Sequence, residues 1–174
     1  MVPLNGEYFD ELETMVVSTR ESYLNQKLAD AVDHAYRNAP AAAEMMDKAG
    51  VKPVDIRGMR DLEKLPIIRK TDLIERQKRD PPYGGFLAIP PERVERVFIS
   101  PGPIYEPIQH SGIKWFAKSF WAAGFRKGDV VVNTFTYHLS PAGILSTRHL
   151  RTVAQPLSSR GPETPIFRSR QCGT

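Results

Sequence analysis

Apolar side chains recur at helical spacing near the start of the chain. The pattern is clearest in residues 20–49, where a charged face alternates with an apolar one. The apolar positions are Leu24, Leu28, Ala31, Ala35 and Tyr36. Pro40 interrupts the pattern and Gly50 ends it, which predicts two successive helices. A further helix is predicted from Lys70, and the charge run at 75–80 indicates its solvated end.

The pattern then changes to strand, helix and strand. Residues 94–100 and 130–135 are short apolar strands, and residues 113–125 form an aromatic-rich helix between them. This order predicts a βαβ unit with a parallel sheet. The seven prolines of residues 80–107 indicate an irregular surface passage around the first strand. The expected fold class is therefore α/β, with N-terminal helices followed by an incomplete parallel-sheet domain.

Composition limits the cellular setting. No stretch approaches the roughly 20 apolar residues that span a bilayer, and the polar, acidic N-terminus is not a secretory signal. The single cysteine, Cys172, excludes an internal disulfide and a cysteine-based zinc site. The histidines show no spacing typical of metal ligands. We therefore expect a cytoplasmic protein with no membrane partner and no metal site.

The net charge of +4 is confined to the end of the chain. Residues 146–174 contain five arginines and one glutamate, whereas residues 1–145 are electrically balanced. A basic nucleic-acid binder is thus a hypothesis that rests on the tail alone. We expect no specific nucleic-acid partner.

Several phrases resemble the adenylate-forming acid–CoA ligases, and within them the phenylacetate–CoA ligase group. The phrases are EYFDELETM, KLADAVDHAYRNAP, DLEKLPIIRKTDL and AAGFRKGDVVVNTFTYHLSPAG. The resemblance covers residues 7–145 and implies a helical segment at 1–80 and the start of an AMP-binding α/β domain at 81–145. It implies a two-step reaction, in which a carboxylate attacks Mg-ATP to form an acyl-adenylate and coenzyme A then displaces AMP. The implied cofactors are ATP and magnesium, and the implied partners are an aromatic carboxylic acid and coenzyme A.

The resemblance assigns Ser100, Gly102 and Tyr105 to the nucleotide phosphate loop. The family loop reads S-S-G-T-T-G-K-P or close to it, whereas this chain reads SPGPIYEP. Two added prolines remove N–H donors, and Glu106 replaces a lysine. Either the loop binds nucleotide through its main chain and hydroxyls, or the activity is altered. The alternative is an ordinary Pro/Gly turn between strand and helix.

Tyr137 and His138 follow the strand at 130–135. Ligands bind at the carboxyl ends of strands in open parallel sheets, and the resemblance places an acyl pocket here. We therefore predict that both residues line that pocket. A structural alternative for His138 is a hydrogen-bonded cap of the helix that follows.

The resemblance stops after Leu145. Codon constraints from Ala154 to Cys172 allow a shifted reading, GATVILSGTGNTDIQVTAM, that matches the strand and G-N-T loop expected next in the family. We therefore predict that residues 146–174 are a frameshifted, basic and poorly structured tail. The alternative is an ordinary disordered basic tail.

A frameshift has functional consequences. The resemblance places the catalytic lysine and the magnesium-binding carboxylate beyond this point, so no catalytic residue is expected in this chain. We predict a ligase fragment that is inactive alone, with a non-catalytic binding or regulatory module as the alternative. An open apolar sheet edge also predicts self-association.

Overall fold

The computed structural model describes residues 7–109, 115–139, 141–158 and 167–169 of the 174-residue chain. The chain divides into two compact units. The hairpin unit comprises residues 15–109, and the sheet unit comprises residues 1–14 together with 110–174.

Three helices lead the hairpin unit: α1 (Val17–Asn38), α2 (Pro40–Lys48) and α3 (Lys70–Arg79). Ala39 separates α1 from α2 in an extended conformation, and Pro40 opens α2. A residue before proline avoids helical geometry, and proline at the first helical position loses no intrahelical bond. The predicted break at Pro40 is therefore confirmed. Among the described helices, none is long and apolar enough to cross a membrane.

Side chains from α1, α2 and the segment after α2 pack together as the core of the hairpin unit. Val32, Met46 and Ile56 are buried together. The half-buried residues Leu28, Tyr36, Val51 and Leu65 pack around them. Short 3-10 turns lie at Pro53–Asp55, Met59–Lys64 and Pro91–Arg93. Of the predicted apolar face of the first helix, Leu28 and Tyr36 pack against this core. Leu24 and Ala31 are exposed, and the buried residue of α1 is Val32, which the prediction did not include.

The hairpin that names the unit consists of β1 (Arg96–Ser100) and β2 (Ile104–Ile108). The strands are antiparallel, with Ser100 opposite Ile104, so residues 101–103 form the connecting turn. We expected β1 to enter a parallel βαβ unit with the strand at 130–135, and this pairing was wrong. The chain instead folds back at once, and Pro107 is tolerated because both strands of a two-stranded sheet are edge strands.

The sheet unit contains the parallel crossover. Its elements are α4 (Trp115–Ala122), β3 (Val130–Asn133), α5 (Pro141–Leu150), β4 (Gln155–Ser158) and β5 (Phe167–Ser169). Strand β3 lies in the centre, parallel to β4 and antiparallel to β5. The βαβ unit is therefore β3–α5–β4, one helix further along the chain than predicted. The predicted α/β class itself is confirmed.

Part of the predicted tail belongs to the core of the sheet unit. Leu150, Val153 and Ala154 are buried in one cluster with Phe120 and Trp121. Residues 146–150 belong to α5 and residues 155–158 form β4, with a turn at 151–154 between them. These described residues therefore carry regular structure where poor structure was expected. The frameshift origin of this sequence stays a prediction.

Residues 7–10 are anchored to α4 in the sheet unit. The ring of Phe9 meets that of Trp121 edge-to-face, with centroids 6.0 Å apart. The Trp121 indole N–H donates to the Glu7 carbonyl oxygen at 3.1 Å. Lys118 Nζ donates to the buried Asp10 carboxylate at 2.8 Å. These contacts join residues that lie more than a hundred positions apart.

Acid should weaken the contact between α2 and α3. Hydrogen bonds from Lys48 and Arg76 hold the pKa of the Glu44 carboxyl at about 2, below its ordinary 4.5. Because the pKa is lower in the folded state, the stabilisation is complete above pH 4.5 and is lost as the pH falls through about 2. Urea unfolding between these pH values should show a smaller loss of stability in Glu44→Gln than in the wild type. Glu21→Gln, an exposed change on α1, should keep the wild-type slope, and equal slopes in all three proteins would contradict this assignment.

Candidate ligand sites

The residues assigned to the phosphate loop lie in and beside the hairpin turn. Ser100 ends β1, Gly102 lies in the turn and Tyr105 belongs to β2. Gly102 has a φ of 153°, and a Cβ there would lie 3.2 Å from Ile104 and 3.3 Å from Ile74. The turn therefore requires glycine both for its backbone conformation and for close packing.

The hydroxyl of Ser100 is a candidate ligand group. Its Oγ is buried and has no hydrogen-bond partner among the described residues. The predicted role of Ser100 in binding phosphate stays a prediction.

Gln77 extends the hairpin with its side chain. Its Oε1 accepts from the Tyr105 N–H at 2.9 Å, and its Nε2 donates to the Tyr105 carbonyl at 2.9 Å. One amide side chain thus completes both main-chain hydrogen bonds of a residue in β2. The main-chain N–H of Tyr105 is consequently engaged within the protein. Gln77 is only 7% exposed, although it lies in the charge run that we interpreted as a solvated helix end.

A cavity of about 640 Å³ lies between α3 and β2, a size typical of small-molecule sites. Most of its wall is apolar or aromatic, and Arg69, Lys70 and Glu106 supply its charges. The remaining lining residues are Ile68, Leu73, Gln77, Tyr83, Phe86, Ile104, Tyr105 and Pro107. Glu106 therefore faces the same cavity as two cations that come from the beginning of α3.

A hydrogen-bond network occupies the carboxyl end of β3 in the sheet unit. Asn133 is fully buried, and its Nδ2 donates to the Gly143 carbonyl at 2.9 Å and to Thr147 Oγ1 at 2.8 Å. Its Oδ1 accepts from the Phe135 N–H at 3.1 Å. The Tyr137 hydroxyl lies 2.6 Å from Thr147 Oγ1. Asn133 thus connects the strand, the loop after it and helix α5.

The two residues predicted to line the acyl pocket lie in this loop. Tyr137 is 37% exposed, and its hydroxyl is hydrogen-bonded to Thr147. His138 is exposed, and its Nδ1 accepts from the Leu139 N–H at 2.8 Å. The structure brings Tyr137 together with Asn133 and Thr147, and it does not bring His138 into that network. Their acyl-binding roles stay predictions.

Close packing holds the loop against α5. Gly143 is buried, and a Cβ there would collide with the Thr136 carbonyl oxygen. The hydroxyl of Thr134 is buried without a hydrogen-bond partner among the described residues. The carboxyl end of β3 therefore combines a tight loop, an accessible phenol and a polar atom that is not satisfied by the described protein.

Sequence reasoning missed Gln77, Asn133 and Thr147. A polar residue that ends an apolar strand, as in V-V-V-N, was a signal for Asn133. Gln77 lies in the charged stretch 75–80, which predicted an exposed helix end and gave no sign of a buried side chain. Thr147 lies in the segment 146–174, for which we predicted a poorly structured tail. Within the described part of the chain, no group of three or more His, Cys, Asp or Glu side chains could hold a metal ion.

Curated proteins of known function resemble the chain in sequence. The phenylacetate-coenzyme A ligase of Thermus thermophilus is 33% identical over 145 residues, which is 79% of this chain and 32% of that protein. The enzyme of the same name from Pseudomonas putida is 33% identical over 143 residues, which is 78% of this chain and 31% of that enzyme. The chain therefore spans about a third of the length of these relatives. No family model matches it.

Solved structures share the fold. A 2-hydroxyisobutyryl-CoA ligase in complex with 2-HIB-AMP has a TM-score of 0.81 at 25% identity, covering 95% of this chain and 36% of that one. An open conformation of the same ligase with 2-HIB-AMP and CoA also has a TM-score of 0.81, and the match covers 95% of this chain and 37% of that one. The described helices and strands therefore match one part of a larger ligase fold.

Fold and sequence together relate the chain to the adenylate-forming acid–CoA ligases. Within that class, its sequence is similar to the phenylacetate–CoA ligases, so the resemblance expected from the sequence is confirmed.

Removing the polar partner of Tyr105 should destabilise the hairpin unit. Gln77→Leu keeps most of the side-chain bulk but removes both hydrogen bonds to β2. We expect a loss of about 1–3 kcal/mol in the free energy of unfolding, measured with urea, because two partly buried main-chain hydrogen bonds of Tyr105 are lost. Gln26→Leu, at a position exposed on α1 whose Nε2 donates to Asp30, is the matched control. Similar losses of unfolding free energy in both variants would contradict a specific stabilising role of the two Gln77 hydrogen bonds.

Proposed function

We propose that the chain forms the acid-binding and part of the nucleotide-binding surface of a phenylacetate–CoA ligase-like enzyme. The observation that carries this proposal is the 33% identity to such a ligase over 79% of the chain. The shared fold at a TM-score of 0.81 supports it independently. The substrates implied are an aromatic carboxylic acid, ATP with magnesium, and coenzyme A.

The acid site in this proposal is the carboxyl end of β3. Tyr137 offers an aromatic ring and a hydroxyl on a side chain that is 37% exposed. His138 lies next to it and is also exposed. Ring faces and edges suit an aryl group, and the hydroxyl suits an oxygen of the acid.

The nucleotide site in this proposal is the hairpin turn, with Ser100, Gly102 and Tyr105. Ser100 contributes a hydroxyl with no partner among the described residues, and Gly102 gives the turn its backbone conformation. Pro101 and Pro103 lack N–H groups, and Gln77 already occupies that of Tyr105. The fit to a polyphosphate is therefore partial, and the described residues offer magnesium no cluster of ligands.

A second candidate is a non-catalytic binding or regulatory module with the same fold. The engaged N–H of Tyr105 and the carboxylate of Glu106 in the neighbouring cavity favour it. Both features reduce the attraction of the hairpin for phosphate. Both candidate functions are compatible with self-association through the open edges of the hairpin. Val97 in β1 is 39% exposed.

The isolated chain should bind the acid substrate without catalysing its adenylation. We expect phenylacetate to shift NMR signals of the loop after β3, while ATP–pyrophosphate exchange stays at background. This expectation follows from the resemblance, which assigns no catalytic residue to residues 1–174. Exchange above background would contradict the expected inactivity, and unchanged signals with phenylacetate would contradict the acid site. Benzyl alcohol, which has no carboxylate, is the control ligand.

The charge of residue 106 should control nucleotide binding. Glu106→Lys replaces a repulsive carboxylate with an ammonium group, so we expect ATP affinity to rise on the order of tenfold. Isothermal calorimetry or thermal stabilisation by Mg-ATP measures the change. Glu92→Lys makes the same change of net charge at an exposed site in the Pro91–Arg93 turn and should have a much smaller effect. Equal effects, or no ATP binding by Glu106→Lys, would favour the non-catalytic module.

A further inference from the structure

The outer edge of β2 is closed to a further strand. The N–H and the carbonyl of Tyr105 both bind the side chain of Gln77, at 2.9 Å each. Main-chain groups of an antiparallel pair point alternately toward the partner strand and away from it, so Pro107 is the next residue of β2 to point outward. Proline has no N–H to donate. The outward-pointing residues of β2 therefore leave no N–H free for another strand.

The outer edge of β1 is open. Tyr105 lies opposite Ile99, and Pro107 lies opposite Val97. Because the main-chain groups of Tyr105 point away from β1, those of Ile99 point away from β2, and the alternation gives Val97 the same direction. In the part of the chain that the structure describes, no strand pairs with this edge. Among the described residues, neither Val97 nor Ile99 has a main-chain partner outside the hairpin.

This open edge is short and has a defined boundary at each end. The Glu95 N–H donates to the Ile108 carbonyl at 2.9 Å, so it is turned toward β2. At the other end, Pro101 has no N–H. The free donors and acceptors therefore belong to the segment 97–99, where the side chain of Val97 is 39% exposed.

A second copy of β1 matches this edge in an antiparallel register. When Val97 lies opposite Ile99 of the second copy, twofold symmetry also places Ile99 opposite Val97 of that copy. Each of these pairs can exchange both of its N–H···O bonds. The same register places Arg96 opposite Ser100 of the second copy, so the two arginines do not face each other. A register with Val97 opposite Val97 would instead place Ile99 opposite Glu95, whose N–H is already used.

We propose that β1 is a self-association edge, at which two copies of the chain pair as an antiparallel four-stranded sheet in the order β2–β1–β1–β2. Gln77 and Pro107 close the other edge, so each copy has one open edge and assembly ends at the dimer. A strand of five residues makes a small interface, well below the roughly 1,200 Å² of a standard stable complex. The dimer is therefore weak and dissociates on dilution.

Sedimentation equilibrium of the full chain, from about 10 µM to about 1 mM, tests the dimer. Val97→Lys places a charge on the open edge, and we expect it to raise the dissociation constant roughly tenfold or more. Tyr105→Lys is the matched control, because Tyr105 is 40% exposed and its side chain shares a face of the hairpin with that of Val97. This change on the closed edge should alter the dissociation constant less than about twofold. A wild-type monomer throughout the range, or equal effects of the two variants, would overturn the proposal.

Amide hydrogen exchange, followed by NMR, locates the contact without any variant. The amides of Val97 and Ile99 should exchange quickly in dilute protein and more slowly as the dimer forms. The Tyr105 amide should be protected at every concentration, because Gln77 accepts its hydrogen. Protection of Val97 and Ile99 in the dilute monomer would mean that another segment already covers the edge, and it would contradict the proposal. Unchanged exchange of both amides in the dimer would contradict it equally.

A variant of Gln77 tests why assembly ends at the dimer. Gln77→Leu frees the Tyr105 N–H and opens the second edge, so we expect species larger than a dimer that dissociate on dilution. Gln26→Leu, on the exposed side of α1, should remain a dimer. Far-UV circular dichroism of both variants confirms that the compared proteins are folded. A folded Gln77→Leu variant that stops at the dimer would overturn the closing role of Gln77.

Discussion

Main-chain polar groups at the edges and ends of strands need hydrogen-bond partners, and buried side-chain amides supply them in both units of this protein. In the hairpin unit, Gln77 pairs with both main-chain groups of Tyr105. In the sheet unit, Asn133 binds the main chain of Phe135 and Gly143. An amide suits this task because it carries a donor and an acceptor in one plane, as a peptide group does. The local geometry of each candidate site depends on one of these amides.

The two amides have opposite consequences for ligand binding. Gln77 occupies a main-chain donor beside the hairpin turn, and so it reduces what the turn can offer a phosphate. Asn133 forms hydrogen bonds within the protein and so orders the loop that carries the partly exposed Tyr137. Within the described residues, the proposed acid site is therefore held by more side-chain hydrogen bonds than the proposed nucleotide site.

The likeness to acid–CoA ligases and the departures from them lie in different places. The helices and the βαβ unit match a ligase fold at a TM-score of 0.81. The departures from the phosphate-loop phrase that the resemblance implies lie in the hairpin, at Pro101, Pro103 and Glu106. A protein can keep a fold through its buried apolar positions while single polar changes alter what its surface binds.

The sequence by itself determined the helices, the α/β class and the family resemblance, because these depend on local periodicity and on contiguous phrases. The break at Pro40 and the turn at Gly102 also follow from local backbone chemistry. Only the tertiary structure decided that β1 pairs with β2, that β3–α5–β4 is the parallel crossover, and that Leu150, Val153 and Ala154 are buried. It also decided that Gln77, Asn133 and Thr147 shape the candidate sites. Strand pairing and side-chain hydrogen bonds depend on residues that are distant in sequence, and no local pattern records which of the possible partners is brought within 3 Å.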